Sequence, residues 1–162
     1  MNQMKLYHGS NIVVEKPAIL ASDRKLDFGT GFYLTSSYEQ AARWATLTAK
    51  RKESGSPVVS VFEFDDGDLD SLKSLKFEKA DKSWLRFVSA NRKNVDFVND
   101  FDLIIGPVAN DRTMPVISLF FAGFYDEDET IKRLLPQKLC DQFVFRSEKS
   151  LQKLQFVEGI SL

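Results

Sequence analysis

The sequence predicts an α+β fold built as a single domain over residues 1–162. Two observations carry this prediction. Stretches with the residue pattern of β-strands are dispersed among short helical stretches, without the regular strand–helix alternation of parallel-sheet folds. The chain also has a length that suits one hydrophobic core, with 43% hydrophobic and 28% charged residues, and it contains no internal repeat.

Six segments have the composition or alternation expected of strands. The clearest alternation is at residues 58–64, where valine and phenylalanine are interleaved with serine and glutamate. The predicted strands are residues 4–8, 31–35, 58–64, 103–108, 142–146 and 154–160. A further short strand is predicted at residues 12–15, before Pro17, and residues 18–28 are predicted to form a polar loop.

The most strongly predicted helix follows the strand at residues 31–35. Ser36 with Glu39, or Ser37 with Gln40, has the spacing of a capping box. Apolar side chains then recur at helical spacing until glycine and proline end the pattern. Other helices are predicted after Asp81, at 114–123, at 128–136 and, as a single turn, at 147–153, and an acidic turn is predicted at 65–70.

Composition excludes several classes of function. The net charge of −1 argues against a broad electrostatic contact with nucleic acid. His8 and Cys140 are the only histidine and the only cysteine, so neither an internal disulfide nor a usual metal cluster is expected. The aspartates of residues 65–70 lack the helix flanks and terminal glutamate of a calcium loop. No signal peptide or membrane-spanning run is visible, so we expect a cytoplasmic protein without a membrane partner.

The first element that carries candidate chemistry is His8 followed by Gly9, at the end of the first predicted strand. An imidazole donates or accepts a hydrogen bond near neutral pH. A glycine lets a flat ligand approach the backbone N–H and C=O groups. Taken alone, a His-Gly dipeptide more often marks a strand end at which a neighbouring group satisfies the hydrogen bonds of the histidine.

The second element runs from Gly29 to Trp44. Gly29 and Gly31 permit a close backbone approach or a positive φ. Tyr33 and Trp44 have the aromatic rings to sandwich a planar heterocycle. The alternative is that both aromatics are core residues, which is the commoner case for isolated aromatics. The basic run at residues 50–52 is either a solvated helix end or a contact for phosphates or nucleic acid.

Together these elements resemble the NAD-binding core of ADP-ribosyltransferases of the poly(ADP-ribose) polymerase and diphtheria-toxin type. Those enzymes carry a His-Gly-(Ser/Thr) strand, a Gly-x-Tyr strand before a helix, and an acidic residue on a late strand. Residues 28–33, Phe-Gly-Thr-Gly-Phe-Tyr, resemble the family's Phe-Gly-Lys-Gly-Ile-Tyr without gaps. Ala42 and Trp44 then fall on the family's alanine and its second, nicotinamide-stacking tyrosine.

The chain is also similar to a bacterial and phage group of small transferase-like domains of formerly unassigned function. The residues that carry this likeness are Trp84-Leu85 with Asn91-Arg92, and Gly106-Pro107 with Asn110-Asp111. The resemblance thus spans most of the chain. It implies the split β-sheet core of the ADP-ribosyltransferases.

The resemblance also implies roles for individual residues. The NAD-binding residues that it implies are His8, Gly9, Ser10, Gly31, Tyr33 and Trp44. By this likeness the imidazole bonds a ribose hydroxyl, the glycine beside it binds the carboxamide, and the serine lies near the adenosine ribose. The two aromatic rings enclose the nicotinamide. Ala41 departs from many relatives, which have a carboxamide-binding serine there.

A second departure is at the acidic position of the family, where the resemblance places Gln142. In the family this residue holds the 2′-hydroxyl of the nicotinamide ribose and steadies an oxocarbenium-like transition state. Glutamine still accepts a hydrogen bond but carries no charge, and charge-assisted hydrogen bonds are roughly twice as strong. We therefore expect weaker catalysis or dependence on another acid. Asp141 faces the other side of a strand, and Glu148 lies on the following turn.

The resemblance implies a mono-ADP-ribosyltransferase with His8, Tyr33 and Gln142 as catalytic residues, NAD as co-substrate and no metal. The acceptor would be a macromolecule, either protein or nucleic acid. Such small domains resemble toxins of bacterial or phage conflict systems, which implies an antitoxin protein as partner. Two alternatives remain: a catalytically silent module that binds NAD or ADP-ribose, and a protein-interaction domain on the same scaffold.

Overall fold

The computed structural model describes residues 2–19, 26–93, 99–109 and 113–162. The strands are β1 (Gln3–Ser10), β2 (Phe32–Leu34), β3 (Val58–Asp65), β4 (Ser74–Lys76), β5 (Leu103–Pro107), β6 (Asp141–Phe145) and β7 (Gln155–Ser161). The helices are α1 (Tyr38–Lys52), α2 (Lys82–Lys93), α3 (Met114–Phe121), α4 (Glu127–Leu134) and α5 (Glu148–Leu151), with a 3-10 helix at Asp66–Ser71.

The strands form two sheets, and the result is a mixed fold in which short helices flank them. The first sheet has the order β1-β3-β7 and is antiparallel throughout. The second has the order β2-β6-β5-β4, with β4 parallel to β5 and the other pairs antiparallel. The edge strands β1 and β2 meet at one bridge, where Tyr7 and Thr35 exchange backbone hydrogen bonds of 2.8 and 2.9 Å.

Apolar residues alternate along the strands, so each sheet has one face against the other sheet and one face against helices. The largest cluster lies between the sheets and joins Leu6 and Phe62 of the first to Phe143 and Phe145 of the second. The outer face of the second sheet packs against α2, α3 and α4, and the outer face of the first packs against α1. The fold therefore has helices outside and two sheets inside, as its patterning requires.

Helix α1 begins as a capping motif predicts, and it lies unusually close to β1. The Ser37 hydroxyl accepts a hydrogen bond from the Gln40 amide. The closest approach to β1 is at Gly9, where a Cβ atom would lie 2.0 Å from the Ala41 carbonyl oxygen and 2.7 Å from the Ala45 nitrogen. Only glycine allows the strand and the helix to come this close.

The predicted strands and helices are confirmed with one exception, and the structure contains one strand that was not predicted. Residues 12–15 are not a strand: the Val14 amide donates to the Ser60 hydroxyl at 2.9 Å, and Val13 lies against Gly159. This segment covers the first sheet through side chains rather than by backbone pairing. The short strand β4 was not predicted, because only three residues, Ser74–Lys76, pair with β5.

Two further predictions concern polar segments. The acidic turn is a 3-10 helix whose cap is Asp65, since its carboxylate accepts from the Gly67 amide at 2.9 Å. Asn110-Asp111 and most of the loop predicted at 18–28 lie outside the described residues. Among the helices that the structure describes, none has the length and apolar character to cross a membrane.

Candidate functional site

A cleft of about 390 Å³ opens where the edge strands β1 and β2 run together, under the face of α1. Cavities of this size accommodate small-molecule ligands. Its walls come from both sheets, from α1 and α2, and from the segment before β2. The described lining residues are His8, Gly9, Leu26, Asp27, Tyr33, Gln40, Arg43, Trp44, Leu47, Thr48, Arg51, Arg92, Val108, Ala109, Met114 and Gln142.

His8 is held by the second sheet even though it belongs to the first. Its Nδ1 lies 2.7 Å from the carbonyl oxygen of Tyr33, and its ring stacks on Phe32 with centroids 4.2 Å apart. Because burial disfavours the imidazolium, the pKa of His8 is lowered to about 4, with a smaller contribution from the charge of Lys52. A carbonyl only accepts, so Nδ1 carries the proton and Nε2 is left as an acceptor at neutral pH.

Tyr33 contributes its ring rather than its hydroxyl to the cleft. The hydroxyl donates to the Gly29 carbonyl at 2.6 Å and accepts from the Phe28 amide at 3.1 Å. Burial raises the pKa of Tyr33 far above its ordinary value, and the charge of Asp27 acts in the same direction. The phenol therefore stays protonated and holds the turn at Gly29, which has φ of +83°.

One face of α1 forms another wall of the cleft. Trp44 is partly buried and lines the cleft, but it belongs to none of the three apolar clusters of the core. Arg43, Leu47 and Arg51 follow one another at intervals of one helical turn, and all three line the cleft. Arg51 belongs to the basic run at residues 50–52. Trp44 is thus placed as a wall residue rather than as a core residue.

Gln142 stands at the start of β6 with only 2% of its surface exposed. Tyr33 pairs with Val144, so Tyr33 and Gln142 lie on the same face of the second sheet. Asp141 faces the other way, as its position in the strand predicts, and accepts from the Ser36 amide and hydroxyl at 2.9 and 2.5 Å. Asp141 therefore holds the residue before the cap of α1 and does not line the cleft.

The acidic residue of the cleft is Asp27, which sequence reasoning missed. Its carboxylate is 3% exposed and forms an ion pair with Arg92, with an Nη2–Oδ1 distance of 2.5 Å. Its other oxygen, Oδ2, accepts from the Ala109 amide at 2.9 Å and from Gln142 Nε2 at 3.0 Å. Asp27 adjoins the Phe28–Tyr33 motif, but nothing in a single sequence indicates that its carboxylate turns inward.

Several residues that the resemblance singled out elsewhere in the chain support the cleft. Arg92 holds Asp27, and the Trp84 indole donates at 2.9 Å to the Pro107 carbonyl, which also faces Gln142 Nε2 at 3.3 Å. Asn91 Oδ1 would be 3.0 Å from a Cβ atom on Gly29. These motif residues thus build the supports of the cleft.

Five of the seven predicted site residues line the cleft, and two do not. The five are His8, Gly9, Tyr33, Trp44 and Gln142. Ser10 is buried beside the cleft, with its hydroxyl on Asn11 Oδ1 at 3.2 Å. Gly31 does not line the cleft, and a Cβ atom there would lie 2.5 Å from Val144 Cγ1, so this glycine serves strand packing. Glu148 is an exposed residue of α5 and does not reach the cleft either.

The described part of the chain contains no group of three histidine, cysteine, aspartate or glutamate side chains suited to hold a metal ion. Residues 4–156 match the model of a family described as a protein of unknown function, DUF3990, and the chain therefore belongs to that family. Searches of curated proteins and of solved structures find no match.

Proposed function

We propose that this protein is a mono-ADP-ribosyltransferase that takes NAD as co-substrate and modifies a macromolecule. The observation that supports this most is the convergence of His8, Tyr33, Trp44 and Gln142, which are far apart in sequence, on one cleft. Packing in a core does not explain why a histidine, two aromatic residues and a buried glutamine line the same open cavity. A binding site for a flat, polyhydroxylated ligand does explain it.

The residues of the cleft fit the parts of a dinucleotide. The neutral His8 ring offers an acceptor nitrogen for a ribose hydroxyl. The rings of Tyr33 and Trp44 offer apolar surface for the nicotinamide. The guanidinium groups of Arg43 and Arg51 line the cleft, and guanidinium groups suit a pyrophosphate.

The reaction exchanges one substituent at C1′ of the nicotinamide ribose. The C1′–N bond breaks and nicotinamide leaves with the bonding electron pair. A bond forms from C1′ to an oxygen or nitrogen of the acceptor, whose proton passes to solvent. The protein's part is to orient the ribose through His8 and Gln142 and to keep water out with Tyr33 and Trp44.

Gln142 limits the chemistry to a single transfer. Its carbonyl oxygen accepts a hydrogen bond but does not remove a proton from an acceptor hydroxyl. Chain elongation is therefore not part of the proposal. By the same likeness, we propose a role as a toxin or effector in a bacterial or phage conflict system, with an antitoxin protein as its neutralising partner.

Purified protein incubated with NAD and cell extract tests the proposal. We expect release of nicotinamide, and isotopically labelled NAD should leave labelled ADP-ribose on an extract macromolecule that mass spectrometry identifies. His8→Ala and Tyr33→Ala should abolish NAD binding in calorimetry. Gln142→Ala should bind NAD with an affinity within about threefold of wild type and lose transfer, because the lost contact acts on the transition state.

Tyr33→Ala also removes the support of the Gly29 turn, so Trp44→Ala serves as the second binding variant. Trp44 lies outside the core clusters, and its loss should weaken NAD binding by at least about tenfold while the fold stays intact. Binding without nicotinamide release would identify a silent NAD or ADP-ribose module. No calorimetric response to NAD or a nicotinamide analogue would refute both the enzyme and the module.

A further inference from the structure

The Asp27 carboxylate is saturated by donors. Oδ1 accepts from Arg92 Nε at 2.6 Å and Nη2 at 2.5 Å, and Oδ2 accepts from the Ala109 amide and Gln142 Nε2. An ionised carboxylate has about four acceptor positions, and four donors occupy them here. Asp27 therefore has no position left for a hydroxyl of a ligand, although it lines the cleft.

The same contacts fix which way the Gln142 side chain is turned. Nε2 faces Asp27 Oδ2 at 3.0 Å and the Pro107 carbonyl at 3.3 Å, and both are acceptors only. The amide must present its two N–H groups to them, since the opposite orientation would set its oxygen against two oxygens. No described residue donates to Oε1, so this oxygen is the polar atom of Gln142 that remains for a ligand.

We propose that Asp27 is a positioning residue of the site that acts through Gln142. It turns the amide so that Oε1 is presented to the ligand, and its charge polarises the amide through the N–H bond and makes Oε1 a stronger acceptor. This inference rests on the proposed function. It identifies Asp27, rather than Asp141 or Glu148, as the acid on which the neutral Gln142 depends.

This arrangement also explains why residue 142 is a glutamine in this chain. A glutamate there would place a second carboxylate against Asp27 Oδ2, where Gln142 Nε2 now lies 3.0 Å away. Two carboxylates at such a distance do not both ionise readily. Gln142 and Asp27 therefore act as a pair. Asp27 carries the negative charge and does not touch the ligand, and the neutral Gln142 does.

The activity test is Asp27→Asn, assayed by nicotinamide release from NAD. The introduced amide keeps an oxygen for Arg92 but sets its NH2 group where Oδ2 accepts from the Ala109 amide and from Gln142 Nε2, so Gln142 loses the acceptor that orients its amide. We expect kcat to fall by about 10- to 100-fold while KM for NAD changes by less than about threefold. Loss of the Asp27–Arg92 ion pair lowers the melting temperature in either case, so the kinetic split decides: a general loss of structure would change kcat and KM together.

A spectroscopic test needs no activity. In wild type, the side-chain amide of Gln142, assigned by its absence in Gln142→Ala, should resonate downfield of the other glutamine amides, since its N–H is bonded to a carboxylate. Asp27→Asn should move this resonance. Asp141→Asn is the matched control, because it changes the neighbouring carboxylate, which faces Ser36, and should leave the resonance in place.

The reciprocal exchange closes the test. Gln142→Glu alone should lower the melting temperature, and adding Asp27→Asn should restore part of the loss, because the introduced amide donates to the introduced carboxylate although it no longer accepts from the Ala109 amide. A Gln142→Glu variant as stable as wild type, or a Gln142 amide unaffected by Asp27→Asn, would overturn the pairing. Absence of nicotinamide release from wild type would overturn the proposed function and leave these two readouts to decide on Asp27.

Discussion

At the scale of single residues, the site combines neutral groups with an acid that the protein has already satisfied. His8 is kept uncharged by burial, Tyr33 is kept protonated, and Asp27 is paired with Arg92. The polar side-chain atoms that His8 and Gln142 leave for a ligand are acceptors, namely His8 Nε2 and Gln142 Oε1. Neighbouring hydroxyl groups, such as those of a ribose, match these two atoms, whereas the guanidinium groups that line the cleft suit phosphates.

The pKa of His8 is directly measurable because it is the only histidine. We expect its imidazole signals to titrate in NMR with a midpoint near 4 rather than 6.5. The contribution of this lowered pKa to the free energy of unfolding is fully present above pH 6.5. It is lost as the pH falls toward 4, since the unfolded chain takes up the proton first. The loss is at most about 3 kcal/mol.

Carboxylates also titrate in this range, so the comparison is with His8→Gln. The free energy of unfolding of wild type should fall more steeply between pH 6.5 and 4 than that of the variant. A midpoint near 6.5 for the imidazole would mean that the ring is solvated rather than buried.

Sequence reasoning found the residues that carry a chemical pattern and missed the one that does not. His8, Tyr33, Trp44 and Gln142 stand in recognisable spacing, and the structure brings them to one cleft. Asp27 stands in no such pattern, because its role depends on Arg92, 65 positions away in the chain. A contact over such a separation is set by the packing of α2 against the second sheet, which one sequence does not specify.

At the scale of elements, the close approach of β1 to α1 shapes the cleft. Sequence reasoning assigned Gly9 to a ligand contact, and the structure adds a packing reason for the same residue, since it lies against Ala41 and Ala45. Long elements with clear periodicity or caps, such as α1 and β3, were predictable. The three-residue β4 was not, because its pairing with β5 decides its conformation rather than its own sequence.

Gly9→Ala tests this contact. The added methyl would lie 2.0 Å from the Ala41 carbonyl oxygen, so the strand and helix must separate. We expect the free energy of unfolding to fall by about 2 to 3 kcal/mol in urea titrations. Gly159→Ala is the control, since its methyl meets the side chain of Val13, which is 44% exposed and free to shift. Equal effects of the two substitutions would contradict the close approach.

At the scale of the whole molecule, the cleft is a junction between the two sheets. His8 and Gly9 come from the first sheet, Tyr33 and Gln142 from the second, and the edge strands that carry them share the Tyr7–Thr35 bridge. The apolar cluster between the sheets holds this geometry from behind. A ligand in the cleft therefore contacts both halves of the fold at once.

NAD at saturating concentration should consequently raise the melting temperature and slow amide hydrogen exchange in segments of both sheets. Binding to the native state alone stabilises it by about 2.7 kcal/mol at a ligand concentration of 100 times Kd. Trp44→Ala should remove the effect by weakening binding. Phe124→Ala, which truncates an aromatic ring that is 77% exposed and does not line the cleft, should retain it. Protection limited to β1 and α1, with none at β2 and β6, would mean that NAD contacts one wall only, and that the two sheets do not form a common site.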